Sequence, residues 1–303
     1  MSPTAEAAAR PSRAAAWLHA VRVPTLAAAV VPVAVGSALA ARHGLFRAGP
    51  ATAALLGALL IQIGTNLAND LYDFRKGADT EHRLGPPRVI AVGWLTATEV
   101  RGAMIACFAL AALAGGYLTA VAGWPIVAIG VASIAAGVGY TAGRWALAYH
   151  GLGDLAVFLF FGVVAVAGTY YVQAGTVHPL AITASIPVGA LATAILVVNN
   201  VRDLETDRRA GKRTLSVLLG RRGTRVEYGA LLFAAFATVI GLWIRGRLSF
   251  GALLPLATLT LAMRTFRVVA TREDGAALNG ALLDTARLHA LFGLLFAAGI
   301  LIP

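Results

Sequence analysis

The sequence predicts an all-α membrane protein with nine transmembrane helices, because it is poor in charge and rich in long apolar segments. The chain has 303 residues, of which 58% are hydrophobic and only 13% are charged. Its mean hydropathy is +0.76. An ordinary soluble domain is roughly one-quarter charged. A polytopic membrane protein is therefore the expected class.

Nine apolar segments are long enough to cross the ~30 Å hydrocarbon layer, which takes about 20 helical residues. They lie near 23–42, 51–71, 99–119, 121–141, 153–173, 179–200, 226–244, 248–266 and 283–303. We therefore expect one transmembrane domain over 17–303. The preceding segment, 1–16, is expected to be cytoplasmic and either flexible or interfacial.

The basic residues predict the orientation of these spans. Only Arg42, Arg47, Arg245 and Arg247 fall in loops on one side, and Arg287 lies within the last span, so the other side holds 20 of the 25 basic residues. Cytoplasmic loops carry the excess of Lys and Arg. The N-terminus is thus predicted to be cytoplasmic and the C-terminus outside, in a multi-pass protein of the cell membrane.

The formal net charge of +11 bears on the partners of the chain. In a soluble protein it would suggest nucleic acid. Here the charge lies in loops beside a bilayer whose cytoplasmic leaflet is anionic, so the lipid bilayer is the expected partner and nucleic acid is not. The single cysteine, Cys107, excludes an internal disulfide framework.

Two acidic segments with the same order of residues follow the second and the sixth span. They are NLANDLYDFRKGAD (66–79) and NNVRDLETDRRAGKRT (199–214). Each starts with asparagine at the end of a helix, continues with aspartates one turn apart, and ends in basic residues and glycine. One such segment would most often be a solvated helix end. Two matching segments favour a shared site.

Helical spacing indicates what the acidic segments can bind. Asn69 and Asp73 share one face of a helix, and Asn199, Asp203 and Asp207 share another, about 5–6 Å apart. Carboxylates stacked near hydrocarbon are costly unless a positive charge neutralises them. Oxygen ligands suit Mg²⁺, which usually takes one or two carboxylates together with substrate phosphates. The neighbouring basic residues can bind phosphate oxygens directly.

Three tracts resemble the UbiA superfamily of intramembrane prenyltransferases. They are NLANDLYDFRKGADTEHRLGPPRV (66–89), YTAGRWALAYHGLGDLAVFLFFG (140–162) and VVNNVRDLETDRRAGKRTLSVLLG (197–220). The resemblance extends from Trp17 to Pro303 and implies a nine-helix UbiA-like bundle and a Mg²⁺ cofactor. Within the superfamily the tracts are most similar to members that act on 1,4-dihydroxy-2-naphthoate. YHGLGD is the most specific of them.

The resemblance also implies a reaction. A polyprenyl group would pass from polyprenyl diphosphate to 1,4-dihydroxy-2-naphthoate, with loss of diphosphate and CO₂, to give demethylmenaquinone for menaquinone synthesis. The active site would face the cytoplasm. The sequence predicts neither the length of the prenyl chain nor an oligomeric state.

The predicted site residues fall into three groups. The predicted metal ligands are Asn69, Asp70, Asp73, Asp79, Asn199, Asp203 and Asp207. The predicted diphosphate-binding residues are Asn69, Arg75, Lys76, Asn199, Arg208, Lys212, Arg213 and Arg22. The predicted catalytic residues are Asp73, Asp203, Arg144, Tyr149 and Asp154. After Arg22 the chain reads VPT where the family pattern has proline, a basic residue and threonine.

Several roles stay open at this point. Asp79 follows a predicted helix end at Gly77, so it either returns to the site on a loop, which we favour, or belongs to a lid. Asp154 would accept a phenolic proton, orient Arg144, or cap a helix N-terminus. The aromatic side chains of this region would either face an allylic cation or anchor at the membrane interface. They are Tyr140, Trp145 and Tyr149.

Other functional classes fit the sequence less well. Transporters also use acidic residues within helical bundles, but they place them near the bilayer midplane. Here the acidic residues crowd one face. CDP-alcohol phosphotransferases carry a single aspartate-rich signature with DG and AR, which is absent. A prenyltransferase acting on 4-hydroxybenzoate or another quinone precursor remains the alternative within the superfamily.

Overall fold

The computed structural model describes residues 11–77 and 85–303, and the regular structure in these two ranges is entirely helical. The twelve α-helices there are α1 (Arg13–Val21), α2 (Ala27–Arg42), α3 (Ala48–Arg75), α4 (Ala97–Ala122), α5 (Pro125–Gly139), α6 (Gly153–Val157), α7 (Ala165–Ala174), α8 (Pro179–Arg202), α9 (Leu204–Arg209), α10 (Leu215–Ile244), α11 (Leu259–Thr271) and α12 (Gly275–Ile300). The 3₁₀ segments are Val23–Leu26, Leu147–Tyr149 and Phe250–Thr258, and Phe158–Val164 is π-helical.

Within the described residues, eight helical segments are long and apolar enough to cross a membrane, not the nine that were predicted. The predicted span 121–141 is the difference. Gly123, with φ of 86°, ends α4, and Pro125 starts α5, which is only 15 residues long. At 1.5 Å per residue, α5 is about 22 Å long, less than the ~30 Å hydrocarbon layer.

Regular structure starts earlier than the predicted domain boundary at Trp17. The helix α1 begins at Arg13, where the hydroxyl of Ser12 accepts a hydrogen bond from the Ala15 N–H. Ala16 and Ala20 are buried in a cluster that also contains residues of α3 and α4. Helix α1 ends at Arg22 in the left-handed conformation, with φ of 56°. That conformation costs a residue with a side chain roughly 1–2 kcal/mol.

The core of the bundle surrounds α8, which packs against α10, α12 and the π-helical segment. Its largest cluster of buried side chains joins α2, α7, α8, α10, α11 and α12. Helix α8 meets the π-helical segment at two glycines, where a Cβ on Gly189 would lie 2.8 Å from the Phe158 carbonyl oxygen. The tract FLFFG therefore packs its backbone directly against α8.

One end of the bundle gathers both acidic segments, and we call it the aspartate end. Helices α3 and α8 both terminate there, as does α1. Two loops pack over it. Loop 85–96 is anchored by buried Val89 and Ile90, which join Leu67 and Leu71 of α3. Loop 140–152 is anchored by Ala146, which is fully buried. These anchors position the polar residues beside them.

Candidate functional site

Asp70 and Asp73 of the first acidic segment lie in the last two turns of α3, and both carboxylates are buried. The Asp70 carboxylate lies 3.2 Å from Nη2 of Arg22 and 3.1 Å from Nη1 of Arg88. Arg22 reaches it from the end of α1, and Arg88 reaches it from loop 85–96. The helix then ends at Arg75, and Gly77 has φ of 66°, which confirms the predicted helix end.

The two acidic segments meet at Asp73. Its Oδ1 accepts a hydrogen bond from the Tyr149 hydroxyl at 3.2 Å, and its Oδ2 lies 3.6 Å from Nη2 of Arg88. Lys212 Nζ lies 3.6 Å from the Asp73 carboxylate and 3.7 Å from that of Asp207. One ammonium group therefore connects the first segment to the second.

Asp203 and Asn199 form a separate buried cluster around Arg202. The guanidinium binds both Asp203 carboxylate oxygens, from Nε at 2.8 Å and from Nη2 at 2.6 Å. It also donates to the side-chain oxygens of Asn199 and Asn279, each at 2.8 Å. The Arg202 side chain is only 1% exposed. Arg202 thus aligns the start of the second segment with α12.

Loop 140–152 supplies the polar groups opposite α3. Lys76 Nζ donates to the carbonyl oxygens of Thr141 at 2.6 Å and Gly143 at 3.1 Å, and it lies 4.1 Å from the centroid of the Tyr149 ring. Burial lowers the pKa of Lys76; Asp73 opposes that effect and Lys212 reinforces it. The Thr141 hydroxyl donates to Oδ1 of Asn69 at 3.0 Å. Asn69 and Asp73 therefore face the same loop, as their spacing predicts.

Tyr140 stands where the polar cluster meets the apolar interior. Burial raises the pKa of its hydroxyl, and the negative charges of Asp154, Asp73 and Asp207 raise it further. The same hydroxyl lies close to Gly153, where a Cβ would come within 3.0 Å of it. Both acidic segments and Asp154 thus act on one phenol, which stays protonated.

Asp154 is buried behind Tyr140, at 5% exposure. Its Oδ1 has no hydrogen-bond partner among the described residues. Its helix has no side-chain capping hydrogen bond, but Asp154 lies in the first turn, where a carboxylate interacts favourably with the helix dipole. The interpretation that it orients Arg144 fails, because Arg144 is exposed and makes no ion pair within 11–77 or 85–303. The role as acceptor of the phenolic proton stays a prediction.

Four predicted basic residues make no ion pair with an aspartate among the described residues. Arg75 is exposed and lies over the Tyr72 ring, 5.8 Å from its centroid. Arg208 pairs with Glu205 at 3.2 Å on the surface. Arg144 and the side chain of Arg213 are exposed. Their roles stay predictions, and Asp79 lies outside the described residues.

Three residues of the site, Arg88, Arg202 and Tyr140, are missing from the predicted binding and catalytic groups. Arg88 precedes the apolar pair Val89 and Ile90, a pattern that would anchor a loop and so position its arginine. Arg202 stands directly before Asp203 within the second segment. In the sequence, both arginines look like the surface charges that cytoplasmic loops usually carry. Only burial in the structure distinguishes a site residue from such a surface charge.

An apolar cavity of about 510 Å³ lies in the membrane-spanning region and includes Tyr140 in its wall. Its walls come from α2, α3, α4, α5, α7 and the π-helical segment. Tyr140, Gln62 and Thr65 are among the few polar residues in its wall. The charged end and the apolar cavity therefore adjoin at Tyr140, an arrangement that suits a ligand with a charged head and a hydrocarbon tail.

The donor set fits Mg²⁺ provided that a phosphorylated substrate completes it. Among the described residues, no three His, Cys, Asp or Glu side chains are grouped so as to hold a metal ion by themselves. Four aspartates face a set of basic residues, Arg22, Lys76, Arg88, Arg202 and Lys212. Mg²⁺ usually keeps waters and binds one or two carboxylates together with substrate phosphates. Phosphate oxygens could then take over the basic partners of the aspartates.

The chain matches known proteins along most of its length. The sequence pattern of the UbiA prenyltransferase family matches residues 29–299. The 1,4-dihydroxy-2-naphthoate octaprenyltransferase of Escherichia coli (strain K12) is 37% identical over 295 residues, which cover 95% of this chain and 96% of that protein. The protein of the same description from Mycobacterium tuberculosis is 40% identical over 221 residues, covering 73% and 75%.

Solved structures show the same fold at lower identity. A UbiA homolog from Archaeoglobus fulgidus bound to GPP and Mg²⁺ superposes with a TM-score of 0.68 at 19% identity, covering 94% of this chain and 99% of that one. At this identity the likeness establishes the fold alone. The helical bundle of this chain is thus a known architecture.

Proposed function

Because the chain belongs to the UbiA prenyltransferase family, we propose that it transfers a polyprenyl group from polyprenyl diphosphate to 1,4-dihydroxy-2-naphthoate. The identity of the acceptor is inferred from relatives that match nearly the whole chain and are described as 1,4-dihydroxy-2-naphthoate octaprenyltransferases. The step serves menaquinone synthesis.

One observation supports the donor substrate above the others. Lys212 joins Asp73 of the first acidic segment to Asp207 of the second, and Tyr140 lies between this cluster and the 510 Å³ apolar cavity. A diphosphate would bind the charged end while its prenyl tail occupies the cavity. No soluble anion needs such a tail site.

The basic residues would stabilise the leaving group. Bound Mg²⁺, held by the aspartates, would neutralise charge on the diphosphate as it departs. Arg88 and Lys212 already lie within 3.6 Å of Asp73, so they can exchange a carboxylate oxygen for a phosphate oxygen without large movement. The Tyr149 hydroxyl keeps Asp73 oriented during that exchange. Asn69 is held in the same way by Thr141.

The acceptor ring would act as the nucleophile, at the junction of the polar cluster and the cavity. The C1–O bond of the prenyl diphosphate breaks, and its electron pair leaves with the diphosphate. The ring carbon that carries the carboxylate bonds to C1, and the ring–carboxyl bond then breaks to release CO₂. The electron pair of the broken bond stays with the ring and restores its aromaticity. The product is the quinol form of demethylmenaquinone, since no electrons leave. Asp154 can take the phenolic proton, and the Tyr140 ring can face C1.

The membrane placement follows the same proposal. The aspartate end would face the cytoplasm, where most basic residues of the loops lie. The N-terminus would then be cytoplasmic and the C-terminus outside. Helix α5, with its flanking residues, would act as a ninth and incomplete crossing. Its shortness would leave Tyr140 and loop 140–152 at the depth of the diphosphate. The membrane would be the cell membrane.

Prenyl transfer by the purified chain tests the proposal. In nanodiscs with Mg²⁺ and a polyprenyl diphosphate, 1,4-dihydroxy-2-naphthoate should be prenylated with release of CO₂, and 4-hydroxybenzoate should not. Product from 4-hydroxybenzoate alone would overturn the acceptor assignment. A chelator should stop the reaction and Mg²⁺ should restore it. Turnover that a chelator leaves unchanged would refute the metal assignment.

The cavity should select prenyl length at Gly57 in the middle of α3. Gly57 lies four turns before Asp73, ~24 Å along the helix, and a Cβ there meets only the Ala114 Cβ, at 3.8 Å. Gly57→Leu should lower kcat/KM for long polyprenyl diphosphates roughly tenfold and spare geranyl diphosphate, because a methylene-scale change in an apolar pocket has effects of this size.

The matched control for this prediction is Gly102→Leu, on the exposed face of α4, where a Cβ meets no atom within 4 Å. Steady-state kinetics with the two donors would measure the ratio. An equal loss with both donors in Gly57→Leu, or the same shift in Gly102→Leu, would contradict the placement of the tail.

A further inference from the structure

A second large cavity lies at the end of the bundle opposite the aspartates. Its volume is about 1040 Å³, and it is bounded by the end of α2, the start of α8 and the end of α10. We call it the arginine cavity, after Arg42, Arg245 and Arg247 in its wall. His178, at its rim, precedes Asp203 by 25 residues of nearly continuous helix, ~37 Å. The cavity and the prenyl site are therefore about one bilayer thickness apart and lie on opposite faces of the membrane.

The polar side of the arginine cavity is uniformly basic. His43 and His178 accompany its three arginines, and no acidic residue is among the described residues that line it. The guanidinium of Arg42 is held by the carbonyl oxygens of Ile300 at 3.0 Å and Ile302 at 3.1 Å. Burial lowers the pKa of His43, and His178 and Arg42 lower it further. The site is thus built to favour a negative charge.

Arg245 and Arg247 have charges that the fold leaves available. Both are exposed in the turn after α10, and neither side chain makes an ion pair or hydrogen bond with any residue in 11–77 or 85–303. Only four basic residues lie in loops on this side of the predicted topology, and three of them line this one cavity. Three of the four exceptions to the positive-inside pattern are therefore gathered in one place.

Below the arginines the cavity becomes an apolar groove between α8 and α10. Its walls are formed by Thr183 and Ile186 on one side and by Ala237, Thr238 and Gly241 on the other. The hydroxyls of Thr183 and Thr238 donate to carbonyl oxygens of their own helices, at 3.1 Å and 2.7 Å. The two hydroxyls are therefore satisfied within their own helices, which suits a groove that holds a hydrocarbon chain.

We propose that the arginine cavity binds an anionic phospholipid of the leaflet opposite the prenyl site. Its phosphate lies between Arg245, Arg247 and the two histidines, and one acyl chain lies in the groove between α8 and α10. A lipid fits better than a free anion because the basic end of the cavity continues into the apolar groove. The arginines also lie at the depth of the lipid headgroups. The lipid holds α10 against α8, the helix that carries Asn199 and Arg202 at its other end.

Lipid retention by the purified full-length chain tests the proposal. After exchange in detergent into equimolar dioleoyl phosphatidylglycerol and dioleoyl phosphatidylcholine, native mass spectrometry should show phosphatidylglycerol bound in preference. The double variant Arg245→Gln with Arg247→Gln should bind it roughly thirtyfold less well, since each basic residue near a lipid surface contributes about a fivefold effect. Gly241→Phe fills the groove, where a Cβ on Gly241 meets no atom within 4 Å, and should also lose the lipid.

The control is Arg47→Gln, the fourth basic residue on this side, which does not line the cavity. It should bind phosphatidylglycerol as the parent chain does. Equal retention of phosphatidylcholine, or undiminished binding in the arginine double variant, would overturn the proposal. Undiminished binding in Gly241→Phe would overturn the placement of the acyl chain. Displacement of the lipid by inorganic phosphate at equal concentration would show a site for free anions instead.

Discussion

Asp73→Asn is expected to lower prenyl transfer by about 10²–10³-fold in a chain that still folds. The change keeps the shape of the side chain but removes the charge that faces Arg88, Lys212 and the predicted Mg²⁺. Removing one group that stabilises developing charge in an active site has effects of this size. Steady-state kinetics in nanodiscs would measure it, and kcat should fall more than KM rises.

The control for Asp73→Asn is Asp274→Asn. Asp274 is exposed and caps α12 through a 2.8 Å hydrogen bond from the Ala277 N–H, a bond that asparagine can also accept. It should leave turnover unchanged. A loss of activity of no more than about threefold in Asp73→Asn would be far smaller than the effect expected for such a group. That result would mean that Asp73 does not hold the metal.

Arg202→Met is expected to destabilise the fold by about 3–5 kcal/mol, because it would leave the Asp203 carboxylate buried without its bidentate partner. Asn199 and Asn279 would lose their donor at the same time. The apparent melting temperature in detergent and the midpoint of unfolding in sodium dodecyl sulfate should both fall.

Two further variants test whether the stability is lost because the Asp203 carboxylate is left unpaired. Arg208→Met removes an exposed ion pair with Glu205 and should change stability by no more than about 1 kcal/mol. The double variant Arg202→Met with Asp203→Asn removes the unpaired charge and should recover part of the lost stability. If it were no more stable than Arg202→Met alone, the buried carboxylate would not be the cause of the loss.

The helical class and the position of the first acidic segment could be predicted from the sequence. A run of apolar residues long enough for a bilayer is a local property, and so is the one-turn spacing of Asn69 and Asp73. The same holds for the end of α3, since Gly77 adopts the positive φ that glycine tolerates best. Each of these features depends on residues close together in the chain.

The predicted span 121–141 is shorter in the structure than a full crossing, for a physical reason. Apolar residues run from α4 through α5 with little interruption, so a hydropathy window does not see the break at Gly123 and Pro125. The length of a helix depends on where its hydrogen bonding stops. Here Gly123 and Pro125 alone decide where the helix stops, whereas the hydropathy of a span is an average over about 20 residues.

The choice among the basic residues could not be made from the sequence. Arg75, Arg208 and Arg213 stand beside the aspartates in the chain but are exposed, whereas Arg88 and Arg202 are buried against them. Successive residues on a helix point in different directions, and contacts between distant segments depend on packing. The roles of Tyr140 and Asp154 depend on the same packing of loop 140–152.

By itself, the sequence determined the chemistry that this protein carries: apolar helices, two sets of aspartates and asparagines, and an excess of basic residues on one side. Only the tertiary structure decided which charges meet, because ion pairs such as Arg22 with Asp70 and Lys212 with Asp73 join residues far apart in the chain. It also decided where the empty volumes lie, since a cavity is bounded by several helices at once and belongs to no single stretch of sequence.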